Sequence, residues 1–259
     1  MTKFRYAVLS DIHSNLTALV AVMNEADKSG PYDEILCAGD VAGYGANPNE
    51  CIMLLEKARA KIVRGNHDRA VSGGDSSRFN SDAKAGAMYN ASVLTHQSRR
   101  FLEKLRPYPY VSETFAMVHG SFYGCHEDTD ISALEDAVSA FVGLKKLERR
   151  VGIVGHTHIP LHVSCSGVEG KLDFVKNPKG ERHATTLAEG APAYLLFNPG
   201  SVGQPRNGSP EAAWGIMEID GDDVMFDFRR TKYDVEKTQR RMRNAGLPGV
   251  LSDRLSHGR

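Results

Sequence analysis

The chain has 259 residues, of which 41% are hydrophobic and 25% are charged, and its 32 basic and 32 acidic residues give a formal net charge of zero. This composition is typical of a globular protein, and the length is sufficient for one large core. The balanced charge argues against a dedicated nucleic-acid surface, because proteins of that class usually carry a basic excess.

The first quarter of the chain alternates between predicted strands and helices. The predicted elements are a strand at Phe4–Ser10, a helix at Asn15–Ser29, a strand at Glu34–Ala38, a helix at Pro48–Ala60 and a strand at Lys61–Arg64. The apolar residues of each helical segment fall on one helical face. This rhythm is typical of parallel strands joined by helical crossovers.

The middle of the chain begins with a loop and a mainly helical region. Ser72–Ser77 is rich in Gly and Ser and is predicted to be a loop, whereas Ser81–Leu105 is predicted to be mainly helical. Prolines at 107 and 109 end that region. The elements predicted after it are a strand at Thr114–Val118, a helix at Ile131–Leu147 and a strand at Val151–Val154.

From His158 onward the pattern favours strands separated by turns, which is typical of an antiparallel second sheet. The predicted strands are Leu161–Cys165, Val168–Val175, Ala193–Phe197, Ala213–Ile219 and Val224–Arg229. Asn177–Gly190 is predicted to be a polar surface loop, and Tyr233–Ala245 a closing helix. We expect a single domain over residues 1–246 and a C-terminal tail over residues 247–259.

Targeting and redox signals are weak. The N-terminal apolar run is short and is interrupted by Arg5, so we expect no signal peptide. No stretch approaches 18 apolar residues, so we expect no membrane span. The four cysteines show no Cys-x-x-Cys spacing and do not indicate a disulfide framework; they are Cys37, Cys51, Cys125 and Cys165. A cytoplasmic protein is therefore predicted.

Five short polar clusters accompany the predicted strands, and we refer to them as the five polar clusters. They are Asp11-Ile12-His13, Gly39-Asp40, Gly65-Asn66-His67-Asp68, His119-Gly120 and Gly155-His156-Thr157-His158. Sites in α/β sheets lie beyond the carboxyl ends of parallel strands, so we expect the clusters to meet at one edge of the fold. Their imidazole and carboxylate groups would then form a metal site.

Asp40 is the natural bridge between two cations, because a carboxylate offers about four lone-pair directions. We predict that one metal takes Asp11, His13, Asp40 and His158, and that the other takes Asp40, Asn66, His119 and His156. Such mixed ligands suit Mn²⁺, Fe, Zn²⁺, Co²⁺ or Ni²⁺ better than Ca²⁺ or Mg²⁺. Two metals ~3.5–4 Å apart are a known arrangement for phosphoryl transfer.

His67 remains outside both predicted ligand sets and is followed by Asp68. A histidine oriented by a carboxylate can donate a proton to a leaving alkoxide, so we predict catalytic roles for both residues. The alternative is that the pair belongs to a helix N-terminal cap.

The order of the five polar clusters resembles that of the calcineurin-like metallophosphoesterases, and the resemblance covers about residues 4–230. Asn198–Arg206 is similar to the small prokaryotic phosphodiesterase branch, the YfcE-like enzymes. Phe226–Arg230 followed by Tyr233-Asp234 is similar to bacterial members that are proposed to cleave dinucleoside polyphosphates.

The resemblance implies an α/β (α+β) fold, a four-layer αββα sandwich of two mixed β-sheets flanked by helices. It also implies two divalent transition-metal ions (Mn, Fe, Zn or Ni) and hydrolysis of a small phosphate-ester substrate by a metal-bridging hydroxide. In that reaction His67 is the general acid or transition-state stabiliser, and Asp68 orients it. Ser14 replaces the glycine that the family usually has there. Ser121–His126 departs further, and we expect it to influence substrate choice.

Several alternatives remain at this point. Phosphodiesters are the first expectation as substrates, with dinucleoside polyphosphates or phosphomonoesters next. Asn66 and Arg206 are candidate substrate contacts, although Gly200–Arg206 is also consistent with a hairpin corner. A non-catalytic scaffold on the same fold and a metal-storage protein are the other classes, and a homodimer is compatible with the sequence. No P-loop or Gly-x-Ser-x-Gly elbow occurs, which argues against the enzymes that use them.

Overall fold

The computed structural model describes residues 3–124, 126–166, 171–178, 180–187 and 192–259. Cys125 and the beginning of the predicted strand Val168–Val175 therefore lie outside the described residues. Within the described ranges, no helix combines the length and the apolar character that crossing a bilayer requires.

The first sheet has six strands in the order β3-β2-β1-β11-β12-β9, of which β1, β2 and β3 are parallel and the others antiparallel. Its strands are β1 Lys3–Leu9, β2 Glu34–Cys37, β3 Lys61–Ile62, β9 Arg182–Thr186, β11 Ala212–Asp220 and β12 Asp223–Thr231. The parallel part is formed by the N-terminal β-α-β-α-β segment, as its alternating pattern predicts.

The second sheet also has six strands, in the order β4-β5-β6-β10-β7-β8, with β5, β6 and β10 parallel. Its strands are β4 Tyr110–Val111, β5 Ala116–Met117, β6 Val151–Ile153, β7 Leu161–Ser166, β8 Lys171–Lys176 and β10 Pro192–Asn198. Both sheets are therefore mixed.

Eight α-helices and one 3₁₀ helix occur among the described residues. They are α1 Leu16–Lys28, α2 Pro48–Lys57, α3 Asn66–Val71, α4 Ser81–Val93, α5 His96–Lys104, α6 Leu134–Lys146, α7 Val235–Asn244, α8 Gly249–Asp253 and the 3₁₀ helix Arg254–His257. Local signals set several of their starts. The Asn15 side chain accepts a hydrogen bond from the backbone N–H of Ala18, which caps α1, and Pro48 begins α2.

Apolar packing builds four layers. The space between the sheets is filled by side chains such as Leu36, Phe115, Ile153, Phe197 and Phe226. Helices α1, α2 and α5 cover the outer face of the first sheet around the buried Trp214, and α6 covers the outer face of the second sheet. The expected arrangement of two mixed sheets flanked by helices is confirmed. It exposes the carboxyl ends of two sets of parallel strands.

The C-terminal half differs from its sequence-based interpretation. The prediction of a separate antiparallel sheet is wrong, because β7, β8 and β10 join the second sheet while β9, β11 and β12 join the first. Strand β9 lies within the predicted loop Asn177–Gly190. Only alternate residues of β9 are partly buried where the strand pairs with β12. Its sequence therefore has no run or alternation of apolar residues from which a strand could be predicted.

The structure adds detail to two further predicted segments. The helical region Ser81–Leu105 is split where Leu94 leaves the helical conformation, and the Thr95 side chain caps the next helix by accepting from the N–H of Ser98. The segment 247–259, expected to be a tail, forms α8 and the 3₁₀ helix. Its Leu251 and Leu255 are buried against a cluster that includes Tyr44.

Candidate metal centre

The five polar clusters lie beyond the carboxyl ends of the parallel strands. In the first sheet, Asp11 follows β1 and Asp40 follows β2, and Asn66 comes soon after β3. In the second sheet, His119 follows β5 and His156 follows β6. Because parallel strands present these ends at one edge, the fold brings together residues that are up to 147 positions apart in the sequence.

The backbone turns sharply at this edge. Asp11, His13 and Asp40 have positive φ values of 52°, 49° and 53°, and His156 and His158 have values of 68° and 60°. Each non-glycine residue in the left-handed region costs about 1–3 kcal/mol, and such residues cluster at functional sites. These conformations interrupt the alternation of side chains that a continuing strand would impose.

The first ligand group consists of Asp11, His13, Asp40 and His158, whose candidate ligand atoms lie within 4.8 Å of one another. His158 Nε2 is 3.2 Å from Asp11 Oδ1, and His13 Nε2 is 3.6 Å from Asp40 Oδ2. All four residues are buried. Because bulk water does not reach these polar atoms, a cation at their centre would supply a charged partner for them.

The second ligand group consists of Asp40, His119 and His156, with ligand atoms again within 4.8 Å of one another. His119 Nε2 is 3.3 Å from Asp40 Oδ2 and 3.2 Å from Asn66 Oδ1. The amide oxygen of Asn66 is thus a further candidate ligand. Asp40 belongs to both groups, which is the geometry that a bridging carboxylate requires.

Backbone carbonyl groups fix the orientation of three histidine rings. Nδ1 lies 3.1 Å from the Ala42 oxygen in His13 and 2.6 Å from the Ala38 oxygen in His119. In His158 it lies 2.6 Å from the Gln204 oxygen. Each Nδ1–H then donates to the carbonyl oxygen, and Nε2 is directed toward the carboxylates, where it could bind a metal. Metal-binding histidines commonly have this outer hydrogen bond.

Burial and charge act against each other on the two carboxylates. Burial opposes ionisation, but the charge and hydrogen bond of His158 hold the pKa of Asp11 well below its usual range. In the same way, His119 and His67 hold the pKa of Asp40 low despite its burial. Burial disfavours a charged His119, yet the neighbouring Asp40 raises its pKa to about 10. The carboxylates therefore attract positive charge to the centre.

These residues fit divalent metal ions. Asp11 Oδ1 is buried beside His158 Nε2, and His13 Nε2 lies 3.0 Å from His158 Nε2. Two nitrogen lone pairs facing each other need a proton or a cation between them. Imidazole, carboxylate and amide ligands in one place are typical of Mn, Fe, Zn or Ni sites.

His67 and Asp68 both lie at the centre, but they do not contact each other as predicted. The Asp68 carboxylate accepts hydrogen bonds from the backbone N–H groups of Ala42 and Gly65. The described residues show no hydrogen bond between it and the His67 ring. The prediction that Asp68 orients His67 directly is therefore not what the structure shows. Asp68 instead caps the start of α3 and holds the loop after Asp40.

Two aromatic rings contact the His67 ring instead. The ring centroids of Tyr44 and Phe79 each lie 4.3 Å from that of His67. A Cβ on Gly43 would collide with His67 Nδ1, so Nδ1 is packed against the backbone and Nε2 is available to the cavity. Burial lowers the pKa of His67 to about 3, whereas burial and the charge of Asp40 raise the pKa of Asp68 to about 7.

A cavity of about 160 Å³ opens at the centre, and we call it the metal cavity. Arg206, predicted as a substrate contact, lines it together with Asn66 and His67. Arg78 and Phe79 also line it, although they were not predicted from the sequence. Their segment follows the Gly/Ser-rich stretch 72–77, and the only available signal was an arginine-aromatic pair just after that loop.

Ser121–His126 does not line the metal cavity in the part that the structure describes. Phe122 is buried under α6, and His126 Nδ1 lies 2.8 Å from the Ser121 oxygen. The next residue, Glu127, contacts Arg64 at 2.5 Å and Arg69 at 2.6 Å. These ion pairs hold both ends of the Gly65-Asn66-His67-Asp68 turn. The loop after His119 therefore stabilises the candidate metal centre by holding this turn in place, without lining the metal cavity.

The comparisons with known proteins agree with this arrangement. The model of the calcineurin-like phosphoesterase superfamily domain matches residues 4–222. An uncharacterised protein of Methanocaldococcus jannaschii is 33% identical over 264 residues, covering 100% of both chains. A metallophosphoesterase from Sphaerobacter thermophilus superposes with a TM-score of 0.82 at 32% identity, covering 99% of this chain and 100% of that one. A hypothetical protein from Pyrococcus horikoshii shares the fold, with a TM-score of 0.75 at 20% identity and 99% coverage of each chain.

Proposed function

Because the chain belongs to the calcineurin-like phosphoesterase superfamily, we propose that it is a binuclear metal-dependent phosphoesterase that hydrolyses phosphodiester or related phosphate-ester bonds. The observation that carries this proposal is the pair of ligand groups that share Asp40. A site for a single metal would not need both groups, and a structural site would not need an open cavity beside them.

The first ligand group would hold one metal, and the second ligand group with Asn66 would hold the other. Two metals in such a site activate a water molecule at neutral pH and stabilise the charge that develops on the attacking and leaving oxygens. Mn, Fe, Zn and Ni all fit the ligand types.

The chain's own residues would bind the phosphoryl group and assist the leaving group. Arg206 reaches Tyr44 Oη at 3.3 Å beside the metal cavity, and the amide of Asn66 lies at its inner wall. Both groups can donate hydrogen bonds to phosphoryl oxygens.

His67 would protonate the leaving oxygen through Nε2. Its low pKa favours a neutral ring. A bound phosphate ester opposes that shift, because its negative charge favours the protonated ring. General acid catalysis of this kind contributes typically ~10²–10⁴ in rate.

The proposal is tested by assaying hydrolysis of bis-p-nitrophenyl phosphate after reconstitution with Mn²⁺, Zn²⁺, Fe²⁺ or Ni²⁺. We expect turnover that a chelator removes and that fresh metal restores. The control is Asp40→Asn, which should remain inactive under every condition. Absence of turnover with all four metals, on this diester and on p-nitrophenyl phosphate, would contradict the proposal.

A second candidate is hydrolysis of a dinucleoside polyphosphate, which the arginines near the cavity favour. Arg78 and Arg206 line the metal cavity, and the guanidinium of Arg254 lies 4.7 Å from the Tyr44 ring centroid. Only Asp40 contributes a carboxylate to the described lining. A substrate with further phosphates would meet this positive rim. A higher kcat/KM for diadenosine tetraphosphate than for the nitrophenyl diester, reduced in Arg206→Gln, would support this candidate.

The other predictions rest on the sequence alone. A non-catalytic scaffold has no need for complete ligand groups, so we do not favour it. The phosphomonoesterase alternative is separated from the diesterase by the same substrate panel. The cytoplasmic location and the homodimer stay predictions.

A further inference from the structure

Residues 126–130 form a loop that follows His119 in the chain, and we call them the Glu127 loop. This loop contacts the surroundings of every candidate ligand that only the second metal would use. Those ligands are Asn66, His119 and His156. The contacts are of three kinds: an ion-pair network, backbone packing and a carboxylate that faces a ligand ring.

Glu127 holds both ends of the turn that carries Asn66. Its carboxylate is buried, with Oε1 2.5 Å from Arg64 Nε and Oε2 2.6 Å from Arg69 Nη1. Asp128 adds a bidentate pair to the Arg69 guanidinium at 3.0 and 3.1 Å. Charge-assisted hydrogen bonds of this kind are strong and directional. Because the two arginines flank the turn, the network limits where the Asn66 amide can lie.

Backbone packing holds the residue after His119. The N–H of Gly120 donates to the carbonyl of His126 at 2.6 Å. A Cβ on Gly120 would lie 2.8 Å from the Thr129 carbonyl oxygen and 2.9 Å from the Thr129 nitrogen, so this approach requires glycine. The Glu127 loop therefore lies directly against the strand end that carries His119.

Asp130 faces the outer nitrogen of His156. His156 Nε2 lies 3.5 Å from Asp130 Oδ1, whereas Nδ1 is directed toward the second ligand group, 3.3 Å from His119 Nε2. The other three histidine ligands are oriented the opposite way, with Nδ1 against a backbone carbonyl. A carboxylate at the outer nitrogen of a metal-binding histidine orients the ring and makes it a more basic ligand.

A different segment holds the first ligand group. The Ser201 hydroxyl and the Gly203 N–H both donate to the Asp11 carbonyl, at 2.7 and 3.0 Å. The Gln204 carbonyl lies 2.6 Å from His158 Nδ1. None of these contacts involves an atom of the Glu127 loop. The two ligand groups are therefore held by separate segments, although they share the bridging carboxylate.

We propose that Glu127 and Asp130 are positioning residues that determine the affinity of the second metal without determining that of the first. The proposal rests on the binuclear centre of the proposed function. Removal of an outer partner of a metal ligand typically lowers metal affinity about 10–100-fold. Because the Glu127 loop holds only one of the two ligand groups, the loss should fall on one ion.

The test is titration of the metal-free, full-length chain with Mn²⁺, in which the electron paramagnetic resonance signal of free Mn²⁺ gives the amount bound. We expect the wild type to bind two ions. Glu127→Gln and Asp130→Asn should each weaken the binding of one ion about 10-fold or more and leave the other unchanged. Because metal binding is measured without a substrate, failure to hydrolyse an ester does not alter the result.

Asp227→Asn is the matched control. The Asp227 carboxylate is also buried and also joins two arginines, Arg182 at 3.2 Å and Arg229 at 2.6 Å, but it does not line the metal cavity. This variant should bind both ions as the wild type does. Asp130→Asn protects the test against misfolding, because the Asp130 side chain is 63% exposed. Thermal melting of each variant checks the fold.

A double variant assigns the weakened ion to its site. His158→Phe damages the first ligand group, so the ion that this variant retains belongs to the second. Addition of Asp130→Asn should weaken that retained ion about 10-fold. Equal weakening of both ions in the two single variants, or wild-type affinities in both, would overturn the proposal. A control variant that weakens one ion as strongly as Glu127→Gln would also overturn it.

Discussion

The protein buries histidines in two regions, the metal centre and the space between the two sheets. At the metal centre, His119 and His158 each place Nδ1 against a backbone carbonyl and face a carboxylate with Nε2. Between the sheets, His162 stacks against His183 at a centroid distance of 4.3 Å. Neither of its ring nitrogens has a hydrogen-bond partner among the described residues.

The difference shows that burial alone does not identify a metal ligand. The rings at the metal centre are held in one orientation by an outer hydrogen bond, and their free nitrogen is directed at negative charge. His162 is held by ring packing, and nothing directs its nitrogens. Its burial is therefore a cost to stability that the surrounding packing offsets.

We expect the largest difference in activity between two equivalent substitutions, one made in each region. His158→Phe removes a ring nitrogen from the first ligand group and should lower kcat/KM at least ~100-fold, since even outer partners of ligands contribute 10–100-fold. His162→Phe keeps a stacked ring and should leave metal content and activity near the wild-type values. Metal analysis and diester hydrolysis of both variants check this. Equal losses in the two variants would remove the distinction.

His67→Ala should separate proton transfer from metal binding. We expect kcat to fall ~10²–10⁴-fold for an alkyl phosphodiester, because its leaving alkoxide needs a proton. The loss should be smaller for bis-p-nitrophenyl phosphate, whose leaving group needs little protonation, and the metal content should not change. The same loss on both substrates would argue for a structural role of the ring.

The buried His162 should make the stability of the protein depend on pH. Burial, together with repulsion from His183, lowers its pKa from 6.5 to about 4. Because the folded-state pKa lies below the unfolded value, the stabilisation is complete above pH 6.5 and is lost as the pH falls toward 4. The loss is up to about 3 kcal/mol.

Urea unfolding at several pH values measures this contribution. We expect the free energy of unfolding of the wild type to fall more steeply below pH 6.5 than that of His162→Phe, which has no group to protonate there. Parallel curves for the two proteins would show that His162 is not the source of the pH dependence.

A smaller effect is expected from loosening the His67 ring. Phe79→Leu keeps an apolar side chain but removes one of the two aromatic contacts, so His67 should occupy its productive position less often. We expect kcat to fall about 10-fold with little change in KM. Phe101→Leu, a change in the core beneath the first sheet, is the matched control and should affect stability rather than kcat.

The strands and ligand candidates at the metal centre could be predicted because their signals are local. Asp11 and Asp40 each come within three residues of the end of an apolar strand, and parallel strands fix where such residues meet. The split of the C-terminal strands between two sheets could not be predicted, because the hydrophobic patterns of β7 and β11 do not say which neighbour each strand pairs with.

The residues that contact His67 could also not be predicted from the sequence. Adjacency suggested Asp68, but the helical start at Asn66 directs the two side chains to different partners. Phe79 and Arg254 approach the metal cavity or Tyr44 only through tertiary packing of α4 and the C-terminal helices. Residues that line a cavity but are distant in the sequence from its other residues produce no periodic pattern from which they could be predicted.

The central claim is that Asp40 joins two metal sites, and metal stoichiometry tests it most directly. The full-length chain is loaded with Mn²⁺, desalted and analysed for bound metal per chain. We predict two ions per chain for the wild type and fewer than two for Asp40→Asn. A wild-type value of one or zero, or an Asp40→Asn variant that retains two ions, would contradict the account.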